Sequence, residues 1–170
     1  MPQRRELLKD PSQRAAIIAR FAGRGPSAGT SYATVRDYCE SLDLLPQITG
    51  IDGDLKNVQR SWAVKTILAE TPPPARLLEI GGGEPVVSGF LAELGYDVTL
   101  VDPYDGFGNG PTDYERYREQ FPHVKIIRDY FRPGLSGLSP GTFEAIFSVS
   151  VLEHLAATIS ECFAAMSEFL

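Results

Sequence analysis

The chain has 170 residues, 43% hydrophobic and 22% charged, with two cysteines and a formal net charge of −6. No apolar run approaches the ~18 residues of a membrane span. Cys39 and Cys162 have no C-x-x-C partners, and a negative protein repels a phosphate backbone. The composition therefore excludes a membrane span, a zinc or disulfide framework and general nucleic-acid binding as first readings. It fits a globular protein of one domain plus an appended segment, in a reducing, cytoplasmic setting.

Residues 1–25 are basic, with six Lys or Arg against Glu6 and Asp10, which leaves −10 on the remainder. The early arginines are followed by no continuous apolar stretch, and Glu6, Asp10 and Pro11 break up a transit-peptide pattern, so a targeting segment is not expected. From Ser12 the residues Ala15, Ala16, Ile18, Ala19 and Ala22 recur at helical spacing, and Gly23 and Gly25 end the run. GPSAGTS (25–31) is loop, and Thr30 or Ser31 is expected to cap a second helix running to about Leu45, before Pro46. A third helix is expected from about Asp54 to Ala69, with Leu55, Val58, Trp62, Lys65 and Leu68 on one face and Trp62 in the core. Pro72, Pro73 and Pro74 then stop any helix, which divides the chain into an N-terminal helical segment or lid (1–74) and a second unit (75–170).

Beyond the prolines, short apolar runs alternate with helices. Strands are expected at Arg76–Ile80, Asp97–Val101, Val124–Arg128 and Phe143–Val149, and helices at about Pro85–Leu94, capped by Gly95, and Asp113–Gln120. The segment Pro133–Gly141 reads as loop. A last helix from Ser150 is expected to carry Leu152, Leu155, Ile159, Phe163, Met166 and Leu170 on its inner face. Strands joined through helices pair in parallel with right-handed crossovers, so the class is α/β with a doubly wound parallel sheet.

Ligands of such sheets bind at the carboxyl ends of the strands. The first strand runs into Gly81-Gly82-Gly83, where the backbone turns without a Cβ in the way and a helix follows with its N–H groups unpaired. Asp102, at the end of the second strand and 21 residues after Gly81, is placed to accept both hydroxyls of a ribose. The bland readings are a tight turn and a turn-opening Asp before Pro103. Val86 stands where a dinucleotide site wants a small residue, and a phosphate loop ending in Gly-Lys-Ser/Thr is absent. A nucleoside cofactor without a phosphate remains.

The segments LLEIGGGEP (77–85), VTLVDPYD (98–105) and FEAIFSVSVLEHL (143–155) resemble class I S-adenosylmethionine-dependent methyltransferases of the small-molecule type. The resemblance implies a Rossmann-like fold and S-adenosylmethionine as cofactor. It also implies that Glu79 helps hold the methionine amino group, that Gly81, Gly82 and Gly83 line the cofactor, and that Asp102 binds the ribose. Asp129 and Tyr130, after the third strand, correspond to the adenine-contacting place, and Ser148 belongs to the strand-end segment. Pro85 replaces the third motif glycine, and Glu144 stands where the family often has Asp. The family's sheet has the order 3-2-1-4-5-7-6, so residues 75–170 match a partial 3-2-1-4 sheet, with the fourth strand as an edge through which two copies could dimerise.

The implied reaction is transfer of a methyl group to O, N or C of a small-molecule acceptor. His154 is the one histidine near the expected site and the candidate general base; His123 is expected at the surface. Tyr104, Tyr114 and Tyr117 are candidate substrate contacts or packing residues. No metal, nucleic-acid or membrane partner is expected. Two other readings stay open: a non-catalytic cofactor-binding or interaction module, and a nicotinamide-dependent oxidoreductase.

Overall fold

A computed structural model describes residues 10–23, 35–49, 55–107, 110–154 and 158–170, with the backbone alone for 35–37. Its centre is a parallel sheet of β1 (Arg76–Ile80), β2 (Asp97–Val101), β3 (Val124–Ile127) and β4 (Ala145–Phe147), in the order β3-β2-β1-β4. This is the strand order expected from the sequence. Arg76 to Ile80 of β1 lie opposite Asp97 to Val101 of β2, whereas only Leu77 to Glu79 pair with Ala145 to Phe147 of β4. All four strands point the same way, so their carboxyl ends share one edge.

Alternate residues of β1 and β2 face opposite sides, and each side meets its own cover. On one side Leu77 and Val98 pack with α5 (Val86–Glu93), whose sequence VVSGFLAE is apolar almost all round. The same core takes in Phe21 of α1 (Pro11–Phe21), Leu45 before α3 (Pro46–Thr49), Ile48 within it, and Val64, Ile67 and Leu68 of α4 (Leu55–Glu70). Thus α1, α3 and α4 share a core with the sheet. Glu40 of α2 (Val35–Leu44) pairs with Arg20 of α1 and with Lys65 of α4 at 3.6 Å. Beside α5, Leu100 and Val124 pack with Tyr104 and with Tyr117 of α6 (Tyr114–Gln120). On the opposite side Leu78, Ile80 and Val101 meet Leu135, Phe143, Met166 and Phe169, and α7 (Ile159–Ser167) closes that layer.

Several local expectations change. α1 begins at Pro11 rather than Ser12 and is capped by Asp10, whose carboxylate accepts from the Ser12 amide at 2.8 Å. The expected caps Thr30 and Ser31, with Gly25 and Asp54, lie outside the described residues. The inner face of α4 is Asn57, Ser61, Val64, Ile67 and Leu68, and Trp62 is 40% exposed. Counting Lys65 into the apolar stripe rotates the face by about one residue, or ~100°. Pro46 ends α2 and opens α3, because proline is well placed at a first helical position.

The largest departures lie at the C-terminal side. β4 has three residues rather than the seven expected. The Thr142 and Phe143 amides donate to the Phe169 carbonyl, and the Ser148 hydroxyl turns back to the Ile80 carbonyl at 2.9 Å. A long helix from Ser150 is replaced by a short 3-10 turn, Leu152–His154, with 155–157 outside the described residues, followed by α7. Thr158 starts α7 through a reciprocal capping box with Glu161. Its buried face is Cys162, Met166 and the following Phe169, while Ile159, Phe163 and Leu170 are exposed. A single apolar stripe drawn across the break had joined two elements whose rotational phases are unrelated.

Candidate functional site

At the shared carboxyl edge lies a cavity of about 700 Å³, lined by the ends of β1, β2 and β4, the segment after β3 and one face of α4. The turn after β1 is its floor. Gly81 has φ +69°, a conformation that side-chain-bearing residues rarely adopt, and a Cβ there would meet Val151 at 2.5 Å. Gly82 is required for a different reason. A Cβ on it would meet Leu100 at 2.4 Å and the Glu79 carboxyl at 2.8 Å. Pro85, buried, is the residue just before α5, and it provides the carbonyl for Gly89 at 2.8 Å but no side-chain cap. Gly89 in turn lies so close to Phe121 that a Cβ would meet the ring at 2.3 Å.

Glu79 is 2% exposed, and its carboxylate accepts a short hydrogen bond from the Ser88 hydroxyl. Burial pushes its pKa up to about 7, with the Asp102 charge adding to the rise and Ser88 and Arg60 opposing it. Asp102 is stitched to both neighbouring loops: one oxygen accepts from the Gly83 amide at 3.0 Å and the other from the Tyr104 amide at 2.8 Å. Its pKa is also raised by burial, against those two hydrogen bonds. A carboxylate has about four acceptor directions, so two remain beyond the bonds it makes to the backbone. Tyr104, buried and with φ 51°, donates its hydroxyl to the Gly83 carbonyl at 2.7 Å. Tyr104 and Tyr117 pack in the core beside α5 and the tilted ring of Tyr114 lies against Tyr104, so these tyrosines are packing residues.

The cavity brings together Glu79, Gly81, Gly82, Gly83, Asp102, Tyr130 and His154. Two other expected site residues point elsewhere. Asp129 lies outside the lining, with its carboxylate on the Arg132 guanidinium at 2.5 and 2.9 Å, which lowers its pKa. Ser148 spends its hydroxyl on the Ile80 carbonyl and holds the ends of β4 and β1 together. Tyr130 donates to Asp105 across the mouth, and the exposed Phe107 stands beside this clasp.

The sequence reading missed Lys56 and Arg60, which enter the cavity from α4, and Gln59 between them, which accepts a hydrogen bond from Ser150 at 2.6 Å. Their i, i+4 spacing shows only that they share a helix face. Nothing in the chain order says that this face sits over the end of β4. Among the described residues, no group of three or more His, Cys, Asp or Glu is placed to hold a metal ion, and no helix is long and apolar enough to cross a membrane.

No protein-family model matches the chain. Two uncharacterised proteins from two strains of Mycobacterium tuberculosis are each 31% identical over 99 residues. That stretch is 56% of this chain and 32% of theirs, so the chain spans about a third of the length of the curated relatives it matches. Among solved structures, a candidate S-adenosyl-L-methionine-dependent methyltransferase from Methanococcus maripaludis superposes with a TM-score of 0.53 at 10% identity, over 84% of this chain and 61% of that one. The likeness shows the fold: an α/β protein whose 3-2-1-4 parallel sheet resembles the Rossmann-like fold of that structure.

Proposed function

We propose that the cavity binds S-adenosylmethionine and that the protein transfers its methyl group to a small-molecule acceptor. The observation that carries this is Asp102: a buried carboxylate at the end of β2, held by the Gly83 amide and lining the same cavity as the glycine turn. The volume suits a nucleoside-sized ligand, since such sites usually measure about 300–1,000 Å³. The donor set fits as well. Asp102 offers two acceptor directions to a ribose diol, and Glu79 offers a buried carboxyl that an ammonium group would hold ionised. The glycines leave the turn open, and Tyr130 and Phe107 supply flat apolar surface for a base.

When bound, the cofactor supplies a methyl group already activated on a sulfonium. The protein's share is to orient and to exclude water. Tyr104 and Ser88 fix the two carboxylates, so neither has to reorganise on binding. For an oxygen acceptor a base is needed as well, and His154 at the cavity edge is the side chain assigned to that proton.

Calorimetric titration of S-adenosylmethionine and S-adenosylhomocysteine into the whole chain tests the reading, with Asp102→Asn and Asp102→Ala alongside. Losing hydrogen bonds to a charged acceptor should weaken binding about 10- to 100-fold. A folded wild-type chain that binds neither compound would overturn the proposal, as would an Asp102→Asn variant with unchanged affinity. Binding without transfer to any acceptor would favour the non-catalytic module. Pro85 favours that reading, because it removes one amide from the start of the helix that faces the cavity. The nicotinamide reading is opposed by Val86, which is buried in the α5 core where a dinucleotide turn needs a small residue.

A further inference from the structure

The charges around the cavity are sorted by element. Glu79, Glu84, Asp102 and Asp105 come from the ends of β1 and β2, whereas its Lys and Arg side chains, Lys56 and Arg60, both come from α4. Four residues apart, they lie on one face about 6 Å apart along the helix. Gln59 on the same face accepts the Ser150 hydroxyl, and Ser150 holds φ 57°. That bond fixes α4 over the segment after β4, which also brings Val149, Val151 and His154 to the cavity. Val64, Ile67 and Leu68 anchor the helix in the core, so the two cations stand on a rigid element rather than a loop. Both also interact within the chain, and Arg60 is near enough to Glu79 to act on its charge.

S-adenosylmethionine bears a zwitterionic tail and a sulfonium, and so carries a net positive charge. Its tail carries a single carboxylate, balanced by the ammonium on the same carbon, whereas two cations are gathered with the candidate base at the α4 end. A protein of net charge −6 repels anions at long range, so it can recruit one only through local cations in a sheltered site. We propose that the methyl acceptor is an anion, carrying a carboxylate or phosphate, and that Lys56 and Arg60 receive that group at the α4–β4 end beside His154. This rests on the methyl-transfer reading and names its acceptor class.

The test uses the whole chain saturated with S-adenosylhomocysteine and titrated with benzoate and phenyl phosphate, against neutral benzyl alcohol, followed by amide shifts of the α4 and 149–154 segments. The anions should bind at least about 10-fold more tightly than the alcohol. Lys56→Gln and Arg60→Gln should each lose about 5-fold or more in anion affinity, leaving the alcohol unchanged, and Arg60→Lys should retain most of it. Equal binding of anions and alcohol, or anion binding indifferent to both Gln variants, overturns the proposal. If the Gln variants weaken S-adenosylhomocysteine but not 5′-methylthioadenosine, which lacks the amino-acid tail, the cations hold the cofactor's own carboxylate and the proposal also fails. Failure of the wild type to bind S-adenosylhomocysteine overturns the methyl-transfer reading instead, and the anion titrations on the unliganded chain then decide whether the Lys56 and Arg60 site exists.

Discussion

The two halves of the cavity edge are built to different standards. Where β1 meets β2, five residues pair on each strand, both strands are buried from their second residue on, and Asp102, Tyr104 and Gly83 are tied by three hydrogen bonds. Where β1 meets β4, three residues pair, β4 is half-buried throughout, the exposed Glu144 carboxylate holds Arg76 at the far end, and at the cavity end one side-chain bond from Ser148 reaches Ile80 while Ser150 ties the segment after β4 to α4. The tight half holds the groups proposed for the cofactor, which is one fixed molecule. The lighter half holds His154 and the segment after β4, which meet the acceptor cations of α4. Rigid placement matters most where buried charge must be kept in position without reorganising.

The sharpest way to probe the tight half is through pH. Glu79 has its folded pKa raised to about 7 from an ordinary 4.5, so between those values the folded state binds more protons than the unfolded one. Its neutral form is compatible with burial, and stability is lost as pH rises through that window. The shift corresponds to a loss on the order of 3 kcal/mol across the window, since each pKa unit is worth about 1.4 kcal/mol. Asp102 is shifted in the same direction, so the diagnostic is the difference made by Glu79→Gln: urea unfolding at pH 5 and pH 7.5 should show a flatter dependence in the variant.

Gly82→Ala should cost roughly 2 kcal/mol, within the usual range for overpacking, because its Cβ would press on Leu100 and on Glu79. Chemical denaturation gives the value, and a neutral result would mean that the turn gives way more readily than the comparison between the halves implies. Tyr104 is 1% exposed, and Tyr104→Phe, which removes its hydrogen bond to the Gly83 carbonyl, should cost about 1 to 2 kcal/mol by the same measurement. At the other half, Ser150→Ala should cost less than about 1 kcal/mol, because Ser150 is only half-buried and water can replace its bond to Gln59. If Ser150→Ala proved as costly as Tyr104→Phe, the claimed contrast would be wrong. The smallest effect is expected from Glu144→Gln, whose carboxylate pairs with Arg76 in solvent; its thermal midpoint should stay within experimental scatter.

How much was legible in the sequence follows the same division. β1, α5 and β2 were readable because apolar runs of five residues, a glycine turn and a glycine stop lie next to one another in the chain, and local pattern and tertiary burial agree there. Asp102 followed from its place at a strand end. β4 and α7 were misread because Phe143 and Ser148 look strand-like by composition yet spend their backbone and side-chain bonds on Phe169 and Ile80, partners that no local pattern reveals. Trp62 failed for a related reason: amphipathic periodicity fixes that α4 has an inner face, but the packing partners decide which residues occupy it.

The sequence by itself determined the alternation of strands and helices and the acidic and glycine-rich ends of β1 and β2, because these depend on local pattern, whereas the strand order came through the resemblance to methyltransferases. Only the tertiary structure decided that Asp129 turns to Arg132, that Gly82 and Gly89 are the positions of closest approach, and that Lys56 and Arg60 face the same cavity as His154. The glycine and α4 placements depend on which surfaces meet across many residues of separation, while Asp129 and Arg132, three residues apart, pair in a loop whose path no periodic pattern fixes.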